Sequence, residues 1–328
     1  MSMQSAASDA MIEAIEWDGS TITEPGVYTG IDLADYHGKL DLLDAPSVSK
    51  SSLKHLFPAL GGSPKQFWHL WKHNPNHITL KPTKALNMGR AVHSLMLNDE
   101  VFADNFSVQP ESYEDIKTGA EKPWSNNAKV CKAWTEAQEA AGKAVVTLEQ
   151  IEKIKRMAED AARDPMVQQG ILNGSVERSM FFKDAKTGLW FKSRPDNVAI
   201  DGFYADLKTT SSMDERFIRR QIKDNGYFVQ GGGVRRAARE LGLPFDSFWN
   251  VYVSTGDTPD TQSVELAPED LELGEAVIRK GLDTIARCMA SGFWPGARPF
   301  EARPVRIGDW DREAIEQDLQ TPQLEQAA

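Results

Sequence analysis

The stretch "RPDNVAIDGFYADLKTT", residues 194–210, decides the fold. Apolar and polar residues alternate on both sides of an Asp-Gly dipeptide, which predicts two strands joined by a turn. Side chains two positions apart share one face of a strand, so Asp206 and Lys208 are expected on the same face. Nine residues separate Asp196 from Asp206. Two adjacent strands can therefore bring these carboxylates together.

The tripeptide D-x-K occurs at two other places in the chain. One copy, Asp115–Lys117, lies in a polar stretch, and the other, Asp184–Lys186, lies in a predicted turn. Both are expected to be solvated surface. Only the copy at Asp206 follows a strand pattern and a preceding Pro-Asp pair.

Converging carboxylates repel each other unless a positive group lies between them. A hard divalent cation such as Mg²⁺ prefers oxygen ligands, and a nearby lysine can orient a water molecule or stabilise charge on a phosphate. Such a set suits phosphodiester hydrolysis. A surface hairpin with an Asp–Lys ion pair explains the same residues, and this stretch alone leaves both interpretations open.

A histidine on a predicted helix favours the metal site. The segment "TKALNMGRAVHSLML" carries apolar residues at helical spacing. His93 follows Gly89 by one turn, and the missing side chain at Gly89 lets this helix face approach another element closely. A histidine that is merely packed in the helix is the alternative, and it has to be weighed together with the two carboxylates.

The order of predicted elements indicates an α/β fold. Helical patterns come first and again after the strands, and the apolar period changes to about two after Gly174. The predicted helices lie near residues 49–57, 64–73, 83–97, 127–141, 147–164, 213–223, 228–241 and 268–290, and the predicted strands near 175–184, 189–200, 203–211 and 247–255. Residues 103–126 are predicted to be a long exposed loop.

Composition places acidity at the two ends of the chain. The net charge of the 328 residues is −11, yet residues 1–46 contribute −8 and residues 305–328 contribute −4, which leaves a near-neutral body. We expect a weakly ordered acidic lead (1–46) with one strand, a central domain (47–300) and a loosely held acidic tail (301–328). A neutral body can present a basic groove to DNA, because local potential guides a phosphate backbone.

Hydropathy, cysteine count and motifs exclude several classes of protein. No apolar run reaches the roughly 20 residues of a membrane helix, and no secretory signal is visible, so we expect a cytoplasmic protein without a membrane role. With only Cys131 and Cys288, a four-cysteine metal or iron–sulfur site within the chain is excluded. The phosphate-binding motif G-x-x-x-x-G-K is absent, which argues against ATP hydrolysis.

The motifs G-x-x-x-H, P-D and D-x-K-T, in this order, resemble the RecB-like branch of the PD-(D/E)xK nucleases. More narrowly, with "SVSKSSL" and "TGLWFKSRPD", the chain is similar to the RecE-type exonuclease VIII catalytic domain over residues 45–255. The resemblance implies a restriction-endonuclease-like core, a mixed central sheet flanked by helices, in a bacterial or phage-encoded protein.

The resemblance also implies roles for individual residues. The ligands of one or two Mg²⁺ or Mn²⁺ ions would be His93, Asp196, Asp206 and the Leu207 carbonyl, and Lys208 would be the catalytic lysine. Glu177 matches an acid near the metal, or is an exposed strand residue. The family's Q-x-x-x-Y motif is incomplete, because Gln230 is followed by Val234, while Tyr227 precedes it by one turn.

The candidate DNA-contacting residues are indicated by less specific patterns than the metal site is. Ser49, Ser51 and Arg90 are expected to hold a terminal phosphate at a helix start, although an ordinary serine cap explains the serines equally. A dense group of basic residues either follows a DNA backbone or lines a subunit interface; its members are Arg216, Arg219, Arg220, Lys223, Arg235, Arg236 and Arg239.

The sequence therefore predicts a metal-dependent exonuclease that degrades linear double-stranded DNA from its ends without ATP. The resemblance further implies digestion in the 5′→3′ direction and a homo-oligomeric ring around DNA. It also implies delivery of single strands to an annealing protein for recombination. An endonuclease or single-strand nuclease of the same superfamily is one alternative. A non-catalytic DNA-binding or assembly protein that retains the fold is the other.

Overall fold

The computed structural model describes residues 14–80, 84–97, 102–172, 175–176, 178–198, 202–298, 304 and 306–320. Within these residues the α-helices are α1 (Leu33–Gly38), α2 (Lys50–Leu53), α3 (Pro64–Leu70), α4 (Lys84–Leu97), α5 (Phe102–Asn105), α6 (Lys129–Ala140), α7 (Leu148–Ala161), α8 (Pro165–Gln168), α9 (Glu215–Asp224), α10 (Tyr227–Glu240), α11 (Pro268–Ser291) and α12 (Asp309–Gln320). None of them is long and apolar enough to cross a membrane.

The strands fall into two five-stranded sheets and two small pairs. They are β1 (Ile15–Glu16), β2 (Gly26–Thr29), β3 (Ser47–Ser49), β4 (Phe106–Val108), β5 (Ser112–Glu114), β6 (Glu121–Pro123), β7 (Ala144–Val146), β8 (Ser175–Val176), β9 (Ser179–Lys183), β10 (Trp190–Ser193), β11 (Asn197–Val198), β12 (Phe203–Thr210), β13 (Ser247–Ser254) and β14 (Thr261–Glu265).

One five-stranded sheet, in the order β14-β13-β12-β11-β8, carries the D-x-K strand. β12 runs parallel to β13 and antiparallel to β11, so the sheet is mixed. The other sheet has the order β1-β2-β9-β10-β3. The expectation of a mixed α/β fold with sheets flanked by helices is confirmed.

Alternate residues of β12 face two different hydrophobic cores. Tyr204 packs into the core that also contains α10 and α11 residues, whereas Ala205 and Leu207 pack into the core beneath α4 and α7. All three side chains are fully buried. A strand covered on both faces has no room for charge except at its open end, which explains why Asp206 and Lys208 must be paired.

Close packing between α10 and α11 explains the glycines at positions 231–233. A Cβ atom added at Gly232 would lie 2.6 Å from both the Leu271 carbonyl oxygen and the Glu275 nitrogen, so the two helix backbones nearly touch. The triple glycine lowers the intrinsic stability of an isolated helix. In the folded protein it permits this helix contact instead.

The acidic lead is packed in its described part, 14–46. β2 pairs with β9, and Tyr28, Tyr36 and Leu42 are buried with Trp190 in a third core. The expectation of weak order is therefore wrong for these residues, because acidic surface positions alternate with apolar ones that complete the first sheet. Residues 1–13 lie outside the described part, and the boundaries at 46 and 300 stay predictions.

The predicted loop at 103–126 contains regular structure. It holds α5, the strand β4 and a hairpin of β5 and β6, whose turn is tied by Asp115. The expectation of a long unstructured loop is wrong, because the polar strands pair with each other rather than with an apolar layer. The tail also contains α12, exposed along its length.

The D-x-K copy at Asp184 is buried, so the expectation that it lies on the solvated surface is wrong. Its carboxylate is 4% exposed and accepts hydrogen bonds from Thr187, Arg236 and Arg279. Burial would raise its pKa, but the bonds from Arg279 and Thr187 outweigh burial and lower it. This carboxylate thereby fastens the β9–β10 turn to α10 and α11. The copy at Asp115 is at the surface as expected.

Replacing Asp184 by alanine should destabilise the fold, because Arg236 would remain buried without its carboxylate. We expect the free energy of unfolding, measured by urea denaturation, to fall by about 3 kcal/mol. Asp115→Ala is the matched control, since this carboxylate also ties a D-x-K-T-G turn but has no buried arginine as its partner, so a smaller loss is expected. Equal losses in both variants would contradict the structural role of Asp184.

Gly232→Ala should also destabilise the protein, although alanine favours an isolated helix by about 1 kcal/mol. The added methyl group would push against the backbone of α11, at a cost of about 1–3 kcal/mol. Gly296→Ala is the control, because no atom lies within 4 Å of a Cβ there. A Gly232→Ala protein as stable as wild type would disprove the close helix contact.

Candidate active site

The strand pair β11 and β12 brings Asp196 next to Asp206. Asn197 pairs with Ala205 in the antiparallel register, which places residue 196 across from residue 206. The Leu207 backbone N–H donates a hydrogen bond of 2.6 Å to Asp196 Oδ2. The carboxylate is therefore fixed against β12 at the point where β11 begins.

Asp206, Lys208 and Gln230 form one hydrogen-bonded cluster. Lys208 Nζ contacts Asp206 Oδ2 and lies 3.2 Å from Gln230 Oε1. Gln230 Nε2 donates to the other oxygen of Asp206 over 2.6 Å. Only 3% of the Asp206 side chain and 11% of the Lys208 side chain are exposed. Each polar group in this mostly buried cluster thus has a partner, as burial requires.

His93 reaches the site from α4, on the opposite face of the sheet from α10. Its Nδ1 atom lies 3.3 Å from Asp196 Oδ2. A Cβ atom at Gly89 would lie 3.4 Å from Thr209 Oγ1, so α4 lies close against the end of β12, as the sequence predicted. The helix α4 and the strands β11 and β12 therefore meet at the carboxylate of Asp196.

The charged groups shift one another's protonation. Burial lowers the pKa of Lys208 to about 8, although Asp196 opposes this shift. Burial would raise the pKa of Asp196, but His93, Lys208 and the Leu207 N–H together lower it. Asp196 is consequently an anion at neutral pH, as a metal ligand must be.

Tyr227 occupies the site in place of the tyrosine expected at position 234. Lys208 Nζ lies 4.6 Å from the centre of the Tyr227 ring, a cation–π contact. Val234 is fully buried in the core between the sheet and α11. One turn of α10 separates Tyr227 from Gln230, so both side chains reach the same lysine from one helix face.

Ser49 and Ser51 line a cleft of about 280 Å³, whose lining includes neither Asp206, Lys208 nor Gln230. Its charged and titratable lining is entirely basic, namely His37, Lys39, His55, Lys72, His73, His77 and Lys192. Arg90 lies on α4 over the Phe106 ring and is not part of that lining. Ser49 ends β3 and is the N-cap of α2, where its N–H donates to Ser52 Oγ. The two serines thus line one cleft. Arg90 lies outside that lining but near it, since burial and nearby cations, Arg90 among them, lower the pKa of His37.

Much of the predicted basic group is neutralised within the chain. Arg235 and Arg239 contact Glu275, Arg236 contacts Asp184, and Arg219 contacts Glu215. These arginines connect neighbouring helix turns and helices. Arg216, Arg220 and Lys223 of the same group lie on α9, where Lys223 is 3.6 Å from Asp224.

Sequence reasoning missed three polar residues around Lys208. Asn250 and Tyr252 on β13 are in register with Asp206 and Lys208, and both are fully buried. The third, Lys50, lies 4.8 Å from the Tyr227 ring centre. The available signals were a strand with Asn and Tyr two apart, and a lysine inside "SVSKSSL". Glu177 lies outside the described residues.

The residue types suit a divalent cation, although the described side chains include no ready-made cluster of three His, Cys, Asp or Glu. The donor set combines carboxylates of Asp196 and Asp206, the imidazole of His93 and the Leu207 carbonyl, which are ligands for Mg²⁺ or Mn²⁺. Asp196 and His93 already meet, whereas Asp206 is engaged by Lys208 and Gln230. The ligand roles stay predictions.

A similar fold is found among solved structures. A "Putative exonuclease" from Eubacterium rectale shares 13% identity, with 87% of this chain and 98% of that chain covered and a TM-score of 0.56. At this identity the likeness shows the fold alone. The alkaline exonuclease (LHK-Exo) from Laribacter hongkongensis has 12% identity, coverage of 52% and 90%, and a TM-score of 0.18, which carries no argument.

No curated protein sequence matches the chain. Residues 49–298, more than half of the chain, match the family described as "PDDEXK-like domain of unknown function (DUF3799)". The PD-(D/E)xK part of the resemblance is thereby confirmed, while the RecE-type identity stays a prediction. The chain belongs to this PDDEXK-like family.

Proposed function

We propose that the protein is a metal-dependent exonuclease that hydrolyses linear double-stranded DNA from its ends. The observation that carries this proposal is the meeting of His93 and Asp196 beside the buried Asp206–Lys208–Gln230 cluster on a PDDEXK-like fold. Acids, an imidazole and a lysine at one strand end are the groups that phosphodiester hydrolysis requires. The similar protein from Eubacterium rectale is described as an exonuclease, which favours ends as the substrate.

In this proposal the residues divide the work. His93, Asp196, Asp206 and the Leu207 carbonyl would hold Mg²⁺ or Mn²⁺, which would supply positive charge toward the phosphate and a water of lowered pKa. Lys208 orients the attacking water or stabilises the phosphate charge. Gln230 holds Lys208 and Asp206 in position through its two hydrogen bonds.

The basic cleft is the proposed binding site for the end of the DNA. Ser49 and Ser51, in a cleft with several lysines and histidines and no carboxylate, are suited to a terminal phosphate. Arg90 would contact the DNA elsewhere along the duplex. The 5′→3′ direction, independence from ATP, a homo-oligomeric ring and an annealing partner in recombination complete the proposal.

The experiments below distinguish this function from two alternatives. An endonuclease or single-strand nuclease would use the same cluster, since the cluster does not distinguish ends from internal bonds. A non-catalytic DNA-binding or assembly protein would retain the fold without turnover. The hydrogen bonds that join Asp206, Lys208 and Gln230 favour a working site over a decayed one.

We expect purified protein with Mg²⁺ to release mononucleotides from linear duplex DNA, and Asp206→Ala and Lys208→Ala to lower the rate by at least about 100-fold. Loss of either group removes charge stabilisation in a water-poor site. Release of acid-soluble label measures the rate, and label at each 5′ or 3′ end reports direction.

Covalently closed circular DNA is the matched substrate control and should survive. Its digestion would favour the endonuclease, preferential loss of single strands would favour the single-strand nuclease, and intact linear DNA would favour the non-catalytic rival. Asp115→Ala, in an exposed copy of D-x-K, should digest as wild type does.

Removing divalent cations should stop digestion, and adding Mg²⁺ or Mn²⁺ should restore it. Binding to the folded state also stabilises a protein by mass action, by about 2.7 kcal/mol at 100 times the Kd. We therefore expect Mn²⁺ to raise the thermal midpoint of wild type and to do so less for Asp196→Ala. Equal shifts in both proteins would contradict Asp196 as a ligand.

A further inference from the structure

Lys50 lies against the proposed active site although no motif points to it. It is the first residue of α2, directly after the strand β3. Leu53 on the same short helix is fully buried, and a Cβ atom at Gly281 of α11 would lie 2.8 Å from its side chain. Because α2 is anchored by this contact, the start of the helix is held beside α10.

Lys50 and Lys208 share one aromatic ring. Their ammonium nitrogens lie 4.8 and 4.6 Å from the centre of Tyr227. Cations are attracted to the face of such a ring, where the π electrons are negative. Tyr227 thus holds two lysines, contributed by different parts of the fold, next to the same pair of aspartates.

The two lysines differ in their anionic partners. Lys208 contacts the Asp206 carboxylate. Within the described part of the chain, no hydrogen bond or ion pair is formed by the Lys50 ammonium group. A charged lysine in a mostly buried place is costly without an anion nearby. Burial and the neighbouring Lys208 lower the pKa of Lys50, and Asp196 opposes this shift without contacting the ammonium group. A DNA phosphate has the charge and the hydrogen-bond acceptors for such a direct contact.

We propose that Lys50 is a second catalytic lysine, which contacts a phosphate of the DNA at the site of cleavage while Tyr227 positions it beside Lys208. This inference rests on the proposed nuclease function for the meaning of "cleavage", but the phosphate contact itself can be measured separately. A phosphate beside Lys50 favours its charged form. The contact supplies charge stabilisation that Lys208, engaged with Asp206, provides only in part.

The test compares Lys50→Met, which keeps the length of the side chain, with Lys50→Arg, which keeps the charge. The matched control is Lys54→Met, one turn further along, whose ammonium group makes no cation–π contact with Tyr227 among the described residues. Two quantities are measured, the rate of digestion with Mg²⁺ and the salt dependence of binding to duplex ends with Ca²⁺ in place of Mg²⁺.

We expect Lys50→Met to lower the rate by about 100-fold and to reduce the slope of log affinity against log salt concentration by about 0.9, the value of one phosphate contact. Lys50→Arg should restore the slope, and Lys54→Met should leave the rate within about twofold of wild type. The thermal midpoint of Lys50→Met should be no lower than that of wild type, since a half-buried charge is removed.

The outcomes separate the two proposals. A wild-type rate and slope for Lys50→Met overturn the role of Lys50 and leave the nuclease intact. A lower midpoint with an unchanged slope assigns Lys50 to structure and overturns the inference. Wild-type protein that binds DNA without digesting it overturns the nuclease, and the slope then still decides the phosphate contact. Wild-type protein that binds no DNA overturns both.

Discussion

Backbone contact between α10 and α11 holds Gln230 and Tyr227 over the strand that carries Asp206 and Lys208. At Gly232 the two helices approach so closely that a single methyl group would not fit. This spacing sets the height of α10 above the sheet. A helix displaced outward by the width of a methyl group would break the 2.6 Å bond from Gln230 to Asp206. The cluster at the strand end therefore depends on three residues without side chains.

The sheet supplies the second half of this arrangement. β12 is buried on both faces, so its polar end can exist only where α10 on one face and α4 on the other bring partners. Gln230 comes from the first helix and His93 from the second, while Asp196 is tied to the backbone between them by the Leu207 N–H. The helices α4 and α10, which cover the two faces of β12, thus also bring His93 and Gln230 to the aspartates.

The sequence allowed this pairing of Asp196, Asp206, Lys208 and His93 to be predicted because each residue belongs to a regular element of known period. Strand alternation and helical spacing are local properties, and a Pro-Asp before a D-x-K strand constrains the register. The packed lead and the buried Asp184 were not predictable in this way. Both depend on contacts with residues far along the chain, Trp190 and Arg279, that no local pattern reveals.

The same limit explains why the sequence left open what stands in for the family's missing tyrosine. Position 234 faces the core, so valine is suited to it, and the ring comes from the first turn of α10 instead. Moving the ring by two turns places it between Lys208 and the start of α2, which brings Lys50 into the site.

The electrostatics of the site follow from these positions. Asp196 and Asp206 face an imidazole and two lysines, so the local charge is close to balanced while the acidic residues of the chain are concentrated near its ends. In the proposed function, Lys208 is committed to Asp206, so the attraction for a phosphate would come from Lys50 and from the basic cleft that Ser49 lines.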